Sequence, residues 1–334
     1  MNLKLIKLMK LQKIRNRGIF WLFNRLKYEL RTPTNKNFKK VVDGLLMLKK
    51  NISRNKKKIN SSYLYAIYDL EVAPITFNII EFLIDAEYES NKLGKTGFII
   101  VFVPKKEESS NVWEEYDSII DEDNKTWRFE NIVLPITRMS EKCKGAYLLP
   151  NRSEILKIVE TNEVYPDLYD GINLRYIDIA KFYKKINRPN LVRGLKANPK
   201  GLQYINQWIK DKNITEPIIT ISLRQYGFDP DRNSDVAEWE KFAKYLKETG
   251  YFPVIIPDND KSFDMEKFFG NSFIFKECAW NLGLRMALYE IALLNFFVAQ
   301  GPLDLAVWNK NCSYIAMNFL PEKTLVSTEE AHNV

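Results

Sequence analysis

The sequence predicts an α/β protein of two units, each a parallel sheet covered by helices, preceded by a basic helical arm. Three observations carry this expectation. Short apolar runs alternate with amphipathic, helix-length stretches over most of the 334 residues, the order that yields parallel sheets with crossover helices. Two of those runs, within 217–234 (PIITISLRQYGFDPDRNS) and 295–308 (NFFVAQGPLDLAVW), stop abruptly in polar, Gly- or Pro-containing residues before a helix pattern resumes. Finally, the charge is split. Residues 1–58 carry 18 Lys and Arg against only Glu29 and Asp43, whereas the rest of the chain carries 32 basic and 40 acidic residues. The net charge of +8 is therefore +16 in the arm offset by −8 in the rest of the chain.

The arm, residues 1–58, sets Leu5, Leu8, Met9 and the cluster Ile19–Phe23 among lysines and arginines. A basic amphipathic helix of this kind is expected to lie on an anionic membrane surface; the alternative is a solvated arm packed on the body. The first 18 residues give no uninterrupted apolar core, so no secretory leader is expected. The stretch 18–23 (GIFWLF) is far too short to span a bilayer. The longest apolar window, 286–308, is broken by Glu290, Asn295, Gly301, Pro302 and Asp304. The expected location is cytoplasmic and peripheral to the inner membrane face. No nucleic-acid recognition motif accompanies the basic arm, and no nucleic-acid partner is expected.

The first unit is placed at 59–190. Tyr63–Tyr68 reads as a buried strand ending in Asp69-Leu70-Glu71, and Pro74 and Thr76 open a helix with Phe77, Ile80, Leu83 and Ile84 on one face. A second strand, GFIIVFV at 97–103, is stopped by Pro104. That order implies a parallel pair with a crossover. Further strands are expected at 131–136 and 146–149, and a helix capped by Ser153. Residues 161–200 are polar, rich in tyrosine and proline, and hold the expected connection between units.

The second unit is placed at 191–322, followed by a polar tail at 323–334. Helix 201–210 leads to strand 218–223, then to helix 235–249, for which Asp235 or Ser234 is the N-cap and Glu238 completes a capping pattern. Strand 252–256, a short helix near 263–269, strand 273–275, helix 284–294, strand 296–299, helix 303–310 and strand 314–318 follow.

Composition narrows the chemistry. Cys143, Cys278 and Cys312 have neither paired nor metal-like spacing, which fits a reducing compartment. The only histidine is His332 in the tail, so any general base is expected to be a carboxylate. There is no Gly-x-Gly-x-x-Gly after a strand, no phosphate-binding Gly-x-x-x-x-Gly-Lys loop and no Gly-x-Ser-x-Gly. Dehydrogenase, P-loop and α/β-hydrolase readings fall accordingly.

The candidate binding residues gather at strand ends. Arg224, Arg232 and Asn233 follow one strand. Gln300, Gly301 and Pro302 follow another, where glycine permits close backbone approach and proline suits a first helical turn. The carboxyl edge of a parallel sheet is where ligands bind, and arginines beside helix N-termini suit a diphosphate. The ordinary alternative pairs those arginines with Asp229 or Asp231. Asn281 and Arg285 begin a later helix; Arg285 is open to two readings, a phosphate contact or an ion pair with Glu290. Asp69 and Glu71 are the candidate bases, their alternative being a cap or turn. The Asp258-Asn259-Asp260 triplet after the strand FPVII is the place to test for a divalent cation, although the arginines already supply counter-charge and no bound metal is expected.

These residues resemble a family. The stretches ITISLRQYGFDPDRNSDVAEWEKFAKYL, GYFPVIIPD and RMALYEIALLNFFVAQGPLDLA look like the nucleotide-sugar-binding domain of GT-B-type glycosyltransferases. The likeness is to the heptosyltransferase-like and fucosyltransferase-like bacterial enzymes of surface-polysaccharide synthesis. YDLEVAPITFNIIEFLIDAE and GFIIVFVP look like the acceptor half, so the resemblance spans roughly 63–320. It implies two Rossmann-like domains with a cleft between them and a sugar transferred from a nucleoside-diphosphate donor to a hydroxyl of a glycan or lipid-linked acceptor. It further implies that Arg224 and the Gly301-Pro302 turn contact the donor diphosphate, that no cofactor beyond the donor is needed, and that an N-domain carboxylate is the base. The chain departs from the heptosyltransferase pattern, with Ala299-Gln300 where a Ser/Thr-rich turn stands. It departs from the fucosyltransferase pattern too, with Ser222-Leu223-Arg224 replacing His-x-Arg. Two other readings stay open: a metal-dependent GT-A-type transferase centred on Asp258 and Asp260, and a non-enzymatic membrane or nucleic-acid adaptor acting through the arm.

Overall fold

The computed structural model describes residues 36–53, 61–106, 120–177, 182, 193–227, 229–269 and 274–317. Residues 1–35 of the arm, the expected boundary near 190 and the tail at 323–334 lie outside the described residues.

Helix α1 (Lys36–Ser53) precedes the first sheet. Strand β1 (Tyr63–Asp69), helix α2 (Ile79–Lys92) and strand β2 (Gly97–Val103) come next. Helix α3 (Glu122–Arg128) continues through a π-helical turn, Phe129–Val133, into a short helical turn at Leu134–Thr137. Strand β3 (Cys143–Leu148), helix α4 (Ile155–Thr161) and strand β4 (Val164–Tyr165) complete this part. The sheet order is β3-β2-β1-β4, with β1 and β4 parallel. Every residue of β2 is buried, which explains why it reads as a continuous apolar run and not as an alternating one.

The expected strand at 131–136 is helical. Asp121 caps α3 by accepting the Asn124 N–H at 2.8 Å, and the helical path then carries through NIVLPIT. Ile132, Val133 and Ile136 are all buried, the i, i+1, i+4 spacing of one helix face. A short apolar run cannot be assigned to strand or buried helix by periodicity alone; the cap ten residues upstream decided it. The expected strand at 146–149 forms as β3, earlier by three residues. Ser153 lies within a short 3-10 turn, Arg152–Glu154, and does not cap α4.

The second sheet follows the sequence expectation closely. Helix α5 (Pro199–Asp211) is capped by Asn198, which accepts the Gly201 N–H at 2.7 Å. Strand β5 (Ile218–Ser222), helix α6 (Val236–Glu248) and strand β6 (Phe252–Ile256) come next. A short turn at Glu266–Phe269, helix α7 (Glu277–Trp280), helix α8 (Leu282–Ile291), strand β7 (Leu294–Val298), helix α9 (Leu303–Val307) and strand β8 (Tyr314–Met317) finish the order. Asp235 caps α6 on both Ala237 and Glu238 N–H groups. In place of the strand expected at 273–275, an isolated bridge joins Ile274 to Ile255. The four strands run in the order β6-β5-β7-β8, and every pairing is parallel.

One face of this sheet is apolar. Ile219, Ile221, Leu223, Phe296 and Val298 pack on Trp239, Ala243 and Leu246 of α6, each of the buried Ile, Leu, Val and Phe side chains contributing roughly 1.5–3 kcal/mol. The opposite face carries buried polar groups that satisfy one another. Thr220 Oγ1 donates to Asn295 Oδ1 at 2.5 Å, Asn295 Nδ2 donates to the Tyr289 and Ser313 carbonyls, and Ser222 Oγ meets Tyr289 Oη at 2.7 Å. Paired in this way, the polar residues of these strands escape the desolvation penalty of unpaired buried groups.

Contact density divides the chain into two compact units that interleave in sequence. One contains residues 36–53, 61–73, 99–106 and 147–176 of those described; the other contains 74–98, 120–146 and most of 193–317. The first has its own apolar cluster, Ile67, Val72, Val101, Val103, Ile155, Tyr169 and Leu174. Among the described residues no helix is long and apolar enough to cross a membrane.

Candidate functional site

The strand order of the second sheet marks the site. From β5 the chain steps to β6 on one side and then crosses to β7 on the other. The loops leaving the carboxyl ends of β5 and β7 therefore diverge, and ligands bind in the crevice formed at such a switch point. These two loops are the ones the sequence singled out, 223–235 and 299–302.

They are fastened to each other in both directions. Gln300 Nε2 donates to the Ser222 carbonyl at 2.8 Å, from the β7 loop to the end of β5. In return, Arg232 Nε and Nη2 both donate to the Ala299 carbonyl, at 3.0 and 2.6 Å. Gln300 is thus a buried clamp between strands. Within the β5 loop, Arg224 and Ser234 exchange backbone and hydroxyl hydrogen bonds of 2.9 Å. Arg224 Nη1 donates to the Asp229 carbonyl at 2.9 Å and to Asn233 Oδ1 at 2.6 Å. Asn233 also accepts the Tyr226 N–H and donates to the Tyr226 carbonyl. Its task in the structure is to shape the loop. Asp229 adopts φ 53°, the left-handed region that Asp tolerates better than most residues, and so lets its carbonyl meet Arg224.

Two guanidinium groups stand close together here. Burial works against the charge of Arg224, and the neighbouring Arg232 adds to this, with Asp258 and Asp229 offsetting it in part. Burial likewise depresses Arg232, against Asp229 and Asp304. A guanidinium does not give up its proton in a protein, so both arginines stay charged, and Arg232 Nη1 lies 3.9 Å from Asp229 Oδ2, the pairing the sequence offered as the ordinary alternative. Two guanidinium groups at one sheet edge could also take an incoming diphosphate.

Asp304, in the first turn of α9, has a carboxyl pushed well above the usual range by burial and by Glu81, with Arg232 opposing. Glu81 lies on α2 and is 2% exposed. Neither residue is among the strand-end candidates. The available signal was Glu81 sitting among Ile79, Ile80, Phe82, Leu83 and Ile84, an acid on a helix buried nearly all round.

Gly301 is required by packing. A Cβ added there would lie 2.4 Å from the Phe77 ring, so only glycine lets the turn pass beneath it. Pro302 takes the N-cap position of α9 with φ −59°. Asn281 caps α8 by accepting the Leu284 N–H at 3.1 Å.

Arg285 does not pair with Glu290. Glu290 accepts instead from the Ala197 N–H at 2.7 Å and Asn309 Nδ2 at 2.6 Å. Arg285 is 4% exposed and its Nε has no hydrogen-bond partner. One helical turn further along α8, Tyr289 Oη meets Ser222 Oγ, in the last residue of β5, at 2.7 Å.

The other carboxylates are engaged. Asp69 is fully buried. It accepts the Glu71 N–H at 3.0 Å, Arg152 Nη1 at 2.9 Å and Tyr169 Oη at 2.6 Å, and forms a further short contact with Arg152 Nη2. Burial opposes the Arg152 charge, but the hydrogen bond and charge of Asp69 outweigh it and raise Arg152. Burial and then the Asp69 charge push the Tyr169 hydroxyl up. Glu71 accepts the Lys106 N–H at 3.1 Å. Asp258 uses Oδ1 on the Asn259 N–H and Oδ2 on the Gln225 N–H, which makes it a loop tie; the side chain of Asp260 lies outside the described residues. Among the described residues no three His, Cys, Asp or Glu side chains are grouped to hold a metal ion.

No protein-family model matches the chain, and no curated protein matches its sequence. Solved structures resemble it. One is the glycosyl transferase family 9 protein from Veillonella parvula DSM 2008, with TM-score 0.51 and 9% identity over 78% of this chain and 87% of that one. Another is the ADP-heptose lps heptosyltransferase II of E. coli, with TM-score 0.46 and 12% identity over 76% and 84%. At such identity the likeness to the first is one of fold: the chain has an α/β fold of GT-B type.

Proposed function

We propose that this protein is a glycosyltransferase. It moves a sugar from a nucleoside-diphosphate-sugar donor to a hydroxyl of a glycan or lipid-linked acceptor in cell-surface polysaccharide synthesis. The observation that carries the reading is the pair Arg224, buried, and Arg232, partly buried, each with its charge opposed by burial, at the switch point of a parallel sheet. The GT-B type of fold supports it. In the reaction the acceptor oxygen bonds to the anomeric carbon as the bond from that carbon to the phosphate oxygen breaks. The acceptor proton passes to a carboxylate, and the diphosphate leaves with its charge held by the arginines. Stabilising charge that develops only in the transition state raises the rate. Arg285, buried without a carboxylate partner among the described residues, is assigned to the same ligand. Asn233, Gln300, Gly301, Pro302 and Asn281 act by holding the loops. Glu71 is the better base of the sequence-derived pair, because Asp69 already serves Arg152, Tyr169 and the Glu71 N–H.

A thermal-shift series with UDP, GDP, ADP and CMP and their sugars tests the reading. One nucleotide should raise the melting temperature by mass action, by about 2.7 kcal/mol of stability at a hundredfold excess over Kd. Absence of any shift across the series would remove the proposal.

The enzyme is further assigned to an anionic membrane surface. On α1 the side chains Val41, Leu45 and Leu48 are 60, 63 and 61% exposed, at the i, i+4, i+7 spacing of one stripe. Asp43 turns from that stripe and pairs with Arg175 at 2.6 Å. The segment carrying the stripe holds the excess of lysine and arginine. Co-sedimentation with vesicles containing phosphatidylglycerol should be strong at low salt, lost at high salt, and weakened by Leu45→Asp with Leu48→Asp. Equal binding to uncharged vesicles, or none to either, contradicts the assignment.

A further inference from the structure

Trp127, Arg128, Tyr226 and Trp280 belong to none of the strand-end motifs, yet the structure connects them beside the arginine loop. Trp280 is the last residue of α7, immediately before Asn281 caps α8. Its indole is 46% exposed. Trp127, near the end of α3, meets it at 5.5 Å between ring centroids and 82° between planes. A perpendicular neighbour of this kind braces a ring without covering it. The next residue, Arg128, stands 5.3 Å from the centroid of the Tyr226 ring, and Arg224 stands 6.0 Å from the same centroid. The last turn of α3 therefore touches both the Trp280 corner and the β5 loop that carries the arginines.

An exposed indole is ordinary when it stands alone. This one is braced, and it is linked through Trp127-Arg128 and Tyr226 to the guanidinium of Arg224. A ligand that satisfies the arginines with phosphates and has an apolar-faced ring at one end would match both halves. A nucleobase offers a π-face, and a pyranose offers a face of C–H groups; each is favoured by removal from water against an indole.

We propose that Trp280, braced by Trp127, is the stacking face for a ring of the donor, either its base or its sugar, and that α3 contributes to donor recognition. This rests on the diphosphate reading of Arg224 and Arg232. It adds a second determinant, one that responds to the ring and not to the charge.

Calorimetric titration of the full-length protein with inorganic pyrophosphate, a nucleoside diphosphate and the matching nucleotide sugar tests this. Trp280→Ala should leave the Kd for pyrophosphate unchanged and raise the Kd for a ring-bearing ligand about five- to hundredfold, the range of one aromatic stack. Trp280→Phe should restore most of the loss. If the nucleoside diphosphate weakens, the ring is the base; if only the nucleotide sugar weakens, it is the sugar. An unchanged Kd for all three ligands overturns the proposal, as does equal weakening of all three. Arg224→Ala in parallel separates the two claims. Should pyrophosphate binding survive that substitution, the diphosphate reading fails, and the Trp280 result is read apart from it.

Discussion

Arg224→Ala should lower kcat/KM for sugar transfer by about 10²- to 10³-fold, the usual cost of removing one group that stabilises charge formed in the transition state. The Kd for the nucleoside diphosphate product should rise as well, because a hydrogen bond to a charged group contributes roughly 1.5–3 kcal/mol. Part of the effect will come from the loop. Arg224 Nη1 holds the Asp229 carbonyl and Asn233 Oδ1, so alanine also frees the segment that carries Arg232. Arg224→Lys separates the contributions. Lysine keeps the positive charge but cannot present two parallel donors to a phosphate while bonding the loop, and a partial recovery is expected. Activity within about threefold of wild type for Arg224→Ala, in a protein of unchanged circular dichroism, would discard the donor-site assignment.

Asp69→Ala should cost about 3 kcal/mol of stability and several degrees of melting temperature, with the Kd for nucleoside diphosphate unchanged. Removing the carboxylate leaves Arg152, whose side chain is 16% exposed, with a buried charge whose chief partner is gone. The Tyr169 hydroxyl loses its acceptor at the same time. The pair Asp69→Ala with Arg152→Met should be less damaging than the two single changes added together, because no uncompensated charge remains. Additive losses, or a stable Asp69→Ala protein with abolished transfer, would return Asp69 to the role of base that its position after the first strand suggested.

The candidate site was legible in part because its residues sit at strand ends. Arg224, Arg232 and the Gly301 turn follow buried apolar runs, and a parallel sheet brings the ends of such runs to one edge. The contribution of Gly301 was visible as a residue type and invisible as a cause, since the Phe77 ring that excludes a Cβ lies over two hundred positions away in sequence. Arg285 shows the limit from the other side. Glu290, five positions on, was a reasonable partner by composition. The side chain of Glu290 was instead taken by the Ala197 N–H and Asn309, groups brought near only by folding. Asp69 was selected by the same strand-end rule as Arg224, and its carboxylate is engaged by Arg152 and Tyr169, 83 and 100 positions away.

The sequence alone determined the α/β class, most of the second sheet, and the position of the two strand-end loops that hold the candidate residues, because these depend on local periodicity and on short-range caps. The strand order that makes those loops neighbours depends on long-range pairing. So do the fastening of Arg232 to Ala299, the raised carboxyl of Asp304 beside Glu81, and the exposed indole of Trp280. Each is a product of groups far apart in the chain brought together by folding, and only the tertiary structure could decide them.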